Sequence, residues 1–148
     1  MFVTESTCKN CTTQYYNPTA STTSAPSTAY TLPALGYGTA KFVGYMNEDT
    51  MCLSNANTDT CVNNFPFFVI QNQDGFKDLD GVIGMSPPAV ANGPSFISYL
   101  YEQGKLAAPV VSFQINIDAD GEQSVAQFGY TDSSSYSGAL TTHNAIPS

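Results

Sequence analysis

The groups with which this chain could do chemistry are few: 12 Asp and Glu, four cysteines and one histidine among 148 residues. One acidic string has suggestive spacing. In Asn116–Gln127, Asn116, Asp118, Asp120 and Gly121 fall at positions one, three, five and six of a calcium-binding loop. The twelfth position is Gln127, where calcium needs a bidentate carboxylate, and the flanks read as strands, so turn chemistry explains the string better. A second, Asp78-Leu79-Asp80-Gly81, runs into apolar Val82-Ile83 and reads as a glycine turn entering a buried strand. Nucleophilic catalysis of the Ser-His-Asp or Cys-His kind would rest on His143 alone, which sits in a polar tail and reads as solvated. The cysteines fall as Cys8-x2-Cys11 and Cys52-x8-Cys61. Two local disulfides in an oxidising compartment suit that spacing. Zinc is the rival, but the second pair is too widely spaced and a single histidine offers little help. The expectation is therefore no metal and no cofactor. Asn10-Cys11-Thr12 fits the N-glycosylation pattern, with a disulfide expected beside it.

Composition narrows the partners. Four Lys and Arg stand against 12 Asp and Glu, for a net charge of -8 and a pI near 4.1. That sign disfavours nucleic acid and anionic membranes, and no apolar run approaches the roughly 20 residues of a membrane span. Charged residues make up 11% of the chain, well under the roughly 25% of ordinary soluble domains. Few cations means few ion pairs to lose when carboxylates protonate, which suits an acidic or extracellular setting. Met1-Phe2-Val3-Thr4 is no signal peptide, so a disulfide protein beginning this way is expected to have a cut or processed N-terminus.

The elements that must position these groups are mostly strands. Residues 1–11 read as a strand end running into a cysteine loop, and the Ser/Thr/Pro-rich stretch 17–28 as a surface loop. Residues 30–53 read as a hairpin with Tyr37-Gly38-Thr39 at its turn, where a large aromatic is poorly placed for a core and well placed to reach over something else. Residues 61–73 read as an apolar strand, and Gly81–Met85 as a short buried run stopped by Pro87-Pro88. One helix is expected over Ser95–Gln103, after Pro94, with Phe96, Ile97, Leu100 and Tyr101 on one face and Gly104 as its stop. Residues 108–117 and 124–132 read as strands joined by a turn at 118–123, and residues 137–148 as the start of one more extended segment. The class is all-β with one or two short helices.

Taken in order, these strings resemble the N-terminal lobe of the pepsin-like aspartic proteases. "LGYGTAKFVGYMNEDT" is similar to that family's flap hairpin, with Tyr37, Gly38, Thr39, Gly44, Asp49 and Thr50 in register. "LDGVIGMSP" resembles the strand that threads beneath the catalytic loop, whose final glycine, here Gly84, lets two backbones cross. "FVTESTC", "PSFISYLYEQGKLAAPVVSFQI" and "QFGYTDSSSYSGAL" resemble further segments of the same lobe. The resemblance implies one incomplete N-terminal lobe over residues 1–148, a double-psi-type β-barrel or sandwich with its flap hairpin at about 35–53. It also implies that the flap, residues 35–46, closes over a peptide in a cleft and excludes water. Tyr37, with Gly38 and Thr39, would cover the bound backbone, and Leu79 and Val82 would line the same apolar pocket.

The family's reaction uses two aspartates, one per lobe, in Asp-Thr-Gly or Asp-Ser-Gly loops. Placed so close, they share one proton; one form activates a water while the other protonates the substrate carbonyl. Neither string occurs here, and Asp59-Thr60-Cys61 and Asp132-Ser133-Ser134 stand in the wrong places. No catalytic residue is therefore assigned. Aligned on Cys8, Met1 falls six residues after the family's first catalytic aspartate, so the expected partners are a peptide or protein substrate and a C-terminal lobe. Phe2 stands where the family has a tryptophan whose indole N–H bonds the flap tyrosine, a bond phenylalanine cannot donate. Ala40 replaces the second flap glycine. The resemblance implies an aspartic-type endopeptidase, inactive as this lobe alone, in a secreted or lysosomal/vacuolar setting. The alternatives are a non-catalytic secreted peptide- or protein-binding protein on the same lobe, and a plain Ser/Thr-rich secreted β-module.

Overall fold

The computed structural model describes residues 1–13, 15–54, 58–75, 79–86, 93–117 and 123–144. Within them, six strands form one sheet and two a second. The first sheet holds β1 (Phe2–Lys9), β2 (Ala25–Pro26), β3 (Ala34–Tyr37), β4 (Ala40–Cys52), β5 (Cys61–Asp74) and β6 (Gly81–Val82), in the order β2-β4-β5-β1-β6, with β3 also on β4. The class is all-β, as the sequence predicts.

Strand β5 organises the molecule because it is apolar on both sides. Phe65 to Ile70 are all buried, the pattern of a strand covered on both faces. Successive side chains point to opposite faces, so Phe68 and Ile70 join Phe2, Cys8, Ala40 and Phe42 in one core. Phe65, Phe67 and Val69 join Val62, Phe96 and Leu100 in another. Pro66, unusual inside a sheet, lies just before β1 begins to pair at Phe2↔Phe68, where β5 has one neighbour and no second ladder loses a donor.

The second core is closed by the expected helix, α1 (Phe96–Glu102), which Ser95 caps. Gly104 (φ 71) ends it, the Lys105 amide donating to the Leu100 carbonyl at 2.8 Å and the Gly104 amide to the Tyr101 carbonyl at 2.9 Å. Gln103 then ties helix to strand, accepting from the Asn63 amide and donating to its carbonyl, each at 3.0 Å. Tyr101, expected on the buried face, is exposed instead. Tyr99 takes the inner position, its ring edge-on to Phe65 at 5.1 Å.

The expected surface loop at 17–28 is more ordered than its composition suggests, with a short helical turn at Pro18–Ala20 and with β2 pairing Ala25 to Glu48. The buried run expected at Gly81–Met85 is shorter. Only Gly81–Val82 is strand, and Ile83 is 36% exposed, because β6 lies at the sheet edge with β1 as its only neighbour. Strands β7 (Val111–Gln114) and β8 (Val125–Phe128) pair antiparallel as expected; most of their predicted turn, 118–122, lies outside the described residues. So do the predicted stop at Pro87-Pro88 and the last four residues of the expected extended segment.

Candidate functional site

The turn that carries Tyr37 is set by Gly38. Tyr37 pairs with Ala40, leaving a two-residue loop. Gly38 has φ 59, while Thr39 is not among the positive-φ residues, the pattern of a type II′ turn with glycine first. Ala40 fits without strain. Its φ is not positive, and its methyl is buried beside Phe42 in the first core.

Tyr37 does not fold back into the protein. Its ring meets Phe2 edge-on, with centroids 5.3 Å apart and planes at 70°, and 45% of the residue stays exposed. Phe2, itself buried, also packs on Phe42 at 4.9 Å and pairs with Val82 across the β1–β6 ladder. The hairpin tip, the start of β1 and strand β6 thus meet at one ring. Sequence reading registered Phe2 only as a lost hydrogen-bond donor and missed this central position; an aromatic opening an apolar strand was the available signal.

Of the other predicted site residues, Val82 packs against the first core and Leu79 stands 37% exposed at the entry to β6. That entry is pinned to β1, since the Thr4 amide and hydroxyl both donate to the Asp80 carbonyl, at 2.9 and 3.1 Å. Of the two glycines in this segment, Gly81 rather than Gly84 makes the close approach among the described residues. A Cβ on Gly81 would lie 2.5 Å from the Phe2 carbonyl oxygen, whereas one on Gly84 would meet open space. The reason is register: Gly81 lies opposite Val3, and Gly84 lies past the last pair. A cavity of about 230 Å³ with a mixed lining opens between Met1, Tyr30, Thr31, Leu35, Met46 and Phe68.

Farther along β4, Asp49 sits in a cage of hydroxyls that no local sequence pattern encodes. Asp49 is only 4% exposed, yet its carboxylate accepts from Tyr16 Oη at 2.9 Å, Ser21 Oγ at 3.0 Å, Thr23 Oγ1, and the Thr50 amide at 2.7 Å. Burial pushes its pKa up, but the bonds from Thr23, Ser21, Tyr16 and Thr50 outweigh it and hold the carboxyl below its ordinary value. Burial, with Asp49 alongside, pushes the Tyr16 hydroxyl up to about 12. Three of these donors come from the Ser/Thr-rich segment and its approach, where composition cannot tell a cage from a solvated loop.

Both expected disulfides are closed. Cys8–Cys11 caps the end of β1, and Cys52–Cys61 joins a register pair of β4 and β5. His143 is exposed. Among the described residues, no three His, Cys, Asp or Glu side chains are grouped to hold a metal, and no helix is long and apolar enough to cross a membrane.

Known proteins resemble the chain throughout. A family model described as eukaryotic aspartyl protease matches residues 1–147. Gastricsin of Callithrix jacchus is 28% identical over 131 residues, which is 84% of this chain and 32% of that protein. Vacuolar protease A of Arthroderma otae is 31% identical over 117 residues, 74% of this chain and 28% of its own. Among solved structures, the aspartic proteinase from Irpex lacteus aligns with a TM-score of 0.62 at 25% identity, over 80% of this chain and 36% of that one. The chain thus spans between 28% and 36% of the length of these relatives.

Proposed function

This chain belongs to the eukaryotic aspartyl protease family, and from that premise we propose that it is the flap-bearing N-terminal lobe of an aspartic-type endopeptidase. Residues 1–148 serve as one incomplete lobe, and the β3–β4 hairpin is its flap. A peptide lies extended beneath Tyr37, whose open ring face covers it while Gly38 and Thr39 let the tip close. Val82 and Leu79, by the family resemblance, line the pocket for the residue before the scissile bond; they are not among the residues around the cavity of about 230 Å³. Closure excludes water, so polar groups brought to the scissile bond act more strongly than they would in solvent.

Hydrolysis itself needs a carboxylate pair from outside these residues, including that of a C-terminal lobe, and this lobe alone is inert. In the complete protein one carboxylate takes a proton from water as it attacks the peptide carbonyl. Its partner donates a proton to the carbonyl oxygen. The observation that carries the reading is the edge-on contact of Tyr37 with Phe2, whose ladder partner is Val82, with the tyrosine still 45% exposed. The relatives' names place them in vacuoles or among gastric enzymes, and the two disulfides fit a secreted or lysosomal/vacuolar route.

A second reading, a non-catalytic secreted protein that grips peptides on the same lobe, is favoured by Phe2, which cannot donate the hydrogen bond that the family's tryptophan gives the flap tyrosine. One experiment separates the two. The protein encoded with its flanking sequence is offered peptides with large apolar residues on both sides of the bond, at acidic pH, with and without a statine-type peptide. Cleavage blocked by the statine supports the enzyme, and tight binding without cleavage supports the binder. Neither cleavage nor binding by folded protein sinks both.

A further inference from the structure

We propose that Asn10 is an N-glycosylation acceptor and that the first sugar of its glycan lies in the polar groove beside the Cys8–Cys11 loop. This proposal holds whether or not the lobe is catalytic.

Asn10-Cys11-Thr12 is the only Asn-X-Ser/Thr string in the chain whose middle residue is not proline. Asn17-Pro18-Thr19 is the other, and proline bars it. Its side chain is also engaged, since Asn17 Oδ1 accepts from the Thr19 amide and hydroxyl at 3.1 and 2.8 Å. Asn10 is placed differently. It follows the last residue of β1, is exposed, and takes φ 61, a left-handed conformation that asparagine tolerates. The disulfide spans it without covering it.

The surroundings suit a sugar. Asn10 Nδ2 donates to Asn72 Oδ1 at 3.0 Å, and Gln73 Nε2 donates to the Asn10 carbonyl at 3.1 Å, so β5 fixes the loop from below. A cavity of about 580 Å³ opens there, with Asn10, Thr12, Lys41, Asn72 and Asp74 among its walls. It offers both donors and acceptors to sugar hydroxyls. In the transfer, Asn10 Nδ2 forms a bond to C1 of N-acetylglucosamine on a lipid-pyrophosphate-linked oligosaccharide. The C1–O bond to the pyrophosphate breaks, the pyrophosphate leaves with the electron pair, and Nδ2 gives up one proton. The second Nδ2 hydrogen remains, so the bond to Asn72 survives modification.

The test is production of the protein with a secretory leader in a eukaryotic host, followed by peptide mass spectrometry before and after amidase release of glycans. The expected result is one glycan, on Asn10, on most molecules, with Asn10 read as Asp after release. Thr12→Ala abolishes it, Thr12→Ser keeps it, and Asn17→Gln leaves it unchanged. Secreted protein with both disulfides closed and Asn10 unmodified overturns the proposal, as does full occupancy in Thr12→Ala. Placement in the groove is read from amine labelling of Lys41, expected to be several-fold slower in glycosylated protein than in Thr12→Ala. Equal rates overturn that placement.

Discussion

Replacing Asp49 with asparagine isolates what the buried carboxylate contributes. The change keeps the shape and one acceptor oxygen but removes the charge from four hydrogen bonds, those of Tyr16, Ser21, Thr23 and Thr50. Bonds to a charged acceptor contribute about 1.5–3 kcal/mol each, against about 0.5–1.5 for neutral ones. The new amide can still donate to Tyr16 Oη, which limits the damage. Four bonds weakened by about 1 kcal/mol each, less their mutual dependence, give an expected loss of about 2–4 kcal/mol near neutral pH. The pH dependence fixes the mechanism. Asp49 has a folded-state pKa below its ordinary 3.8, so its contribution is complete above that value and fades as pH falls through the folded one. Asp49→Asn cannot titrate there, so its deficit should be full at pH about 6 and shrink well below pH 4. Urea unfolding at both pH values, with the m-value checked for constancy, reads this directly. An equal deficit at both, or none at either, would refute the charged cage.

Other perturbations probe the cleft and the frame. Gly81→Ala drives a methyl against the Phe2 carbonyl and should cost about 1–3 kcal/mol, while Gly84→Ala, facing open space, should cost less than about 0.5; denaturant midpoints that reverse this order reject the crossing. Tyr37→Ala leaves a half-open site, so stability should fall by no more than about 1 kcal/mol. In the complete protein, peptide binding and cleavage should drop at least tenfold; unchanged kinetics would remove Tyr37 from the substrate path. Cys52→Ala/Cys61→Ala opens a loop of sequence separation 9 and should cost about 2–3 kcal/mol, more than loss of the shorter Cys8–Cys11 link. Non-reducing peptide mapping should find both pairs.

How much of this was legible in the sequence depended on whether a local pattern encodes it. Gly38 announces its turn because few other residues take that backbone, and the run from Phe65 to Ile70 announces a strand covered on both sides. Ser95 and Gly104 bracket the helix correctly, but the choice between Tyr99 and Tyr101 for the inner face was made by Phe65, a strand away. Likewise, two glycines three residues apart look alike in the chain. Only the pairing of Val3 with Gly81 says which one meets a carbonyl. The hydroxyls around Asp49 were the least readable. Ser21 and Thr23 belong to a segment that looks solvated until β2 docks beside Glu48 and brings their hydroxyls within reach of Asp49.

The two-sided burial of β5 makes alignment between β4 and β5 unforgiving. A slip of a single residue would turn Phe67 towards the hairpin core and Phe68 towards the helix, exchanging the contents of both cores at once. Cys52 and Cys61 are a register pair at the end of that ladder, four residues from Phe65, and their covalent link holds the two strands together there. The link works as a pin on a zip: it holds the end from which the pairing of the two strands runs towards the hairpin.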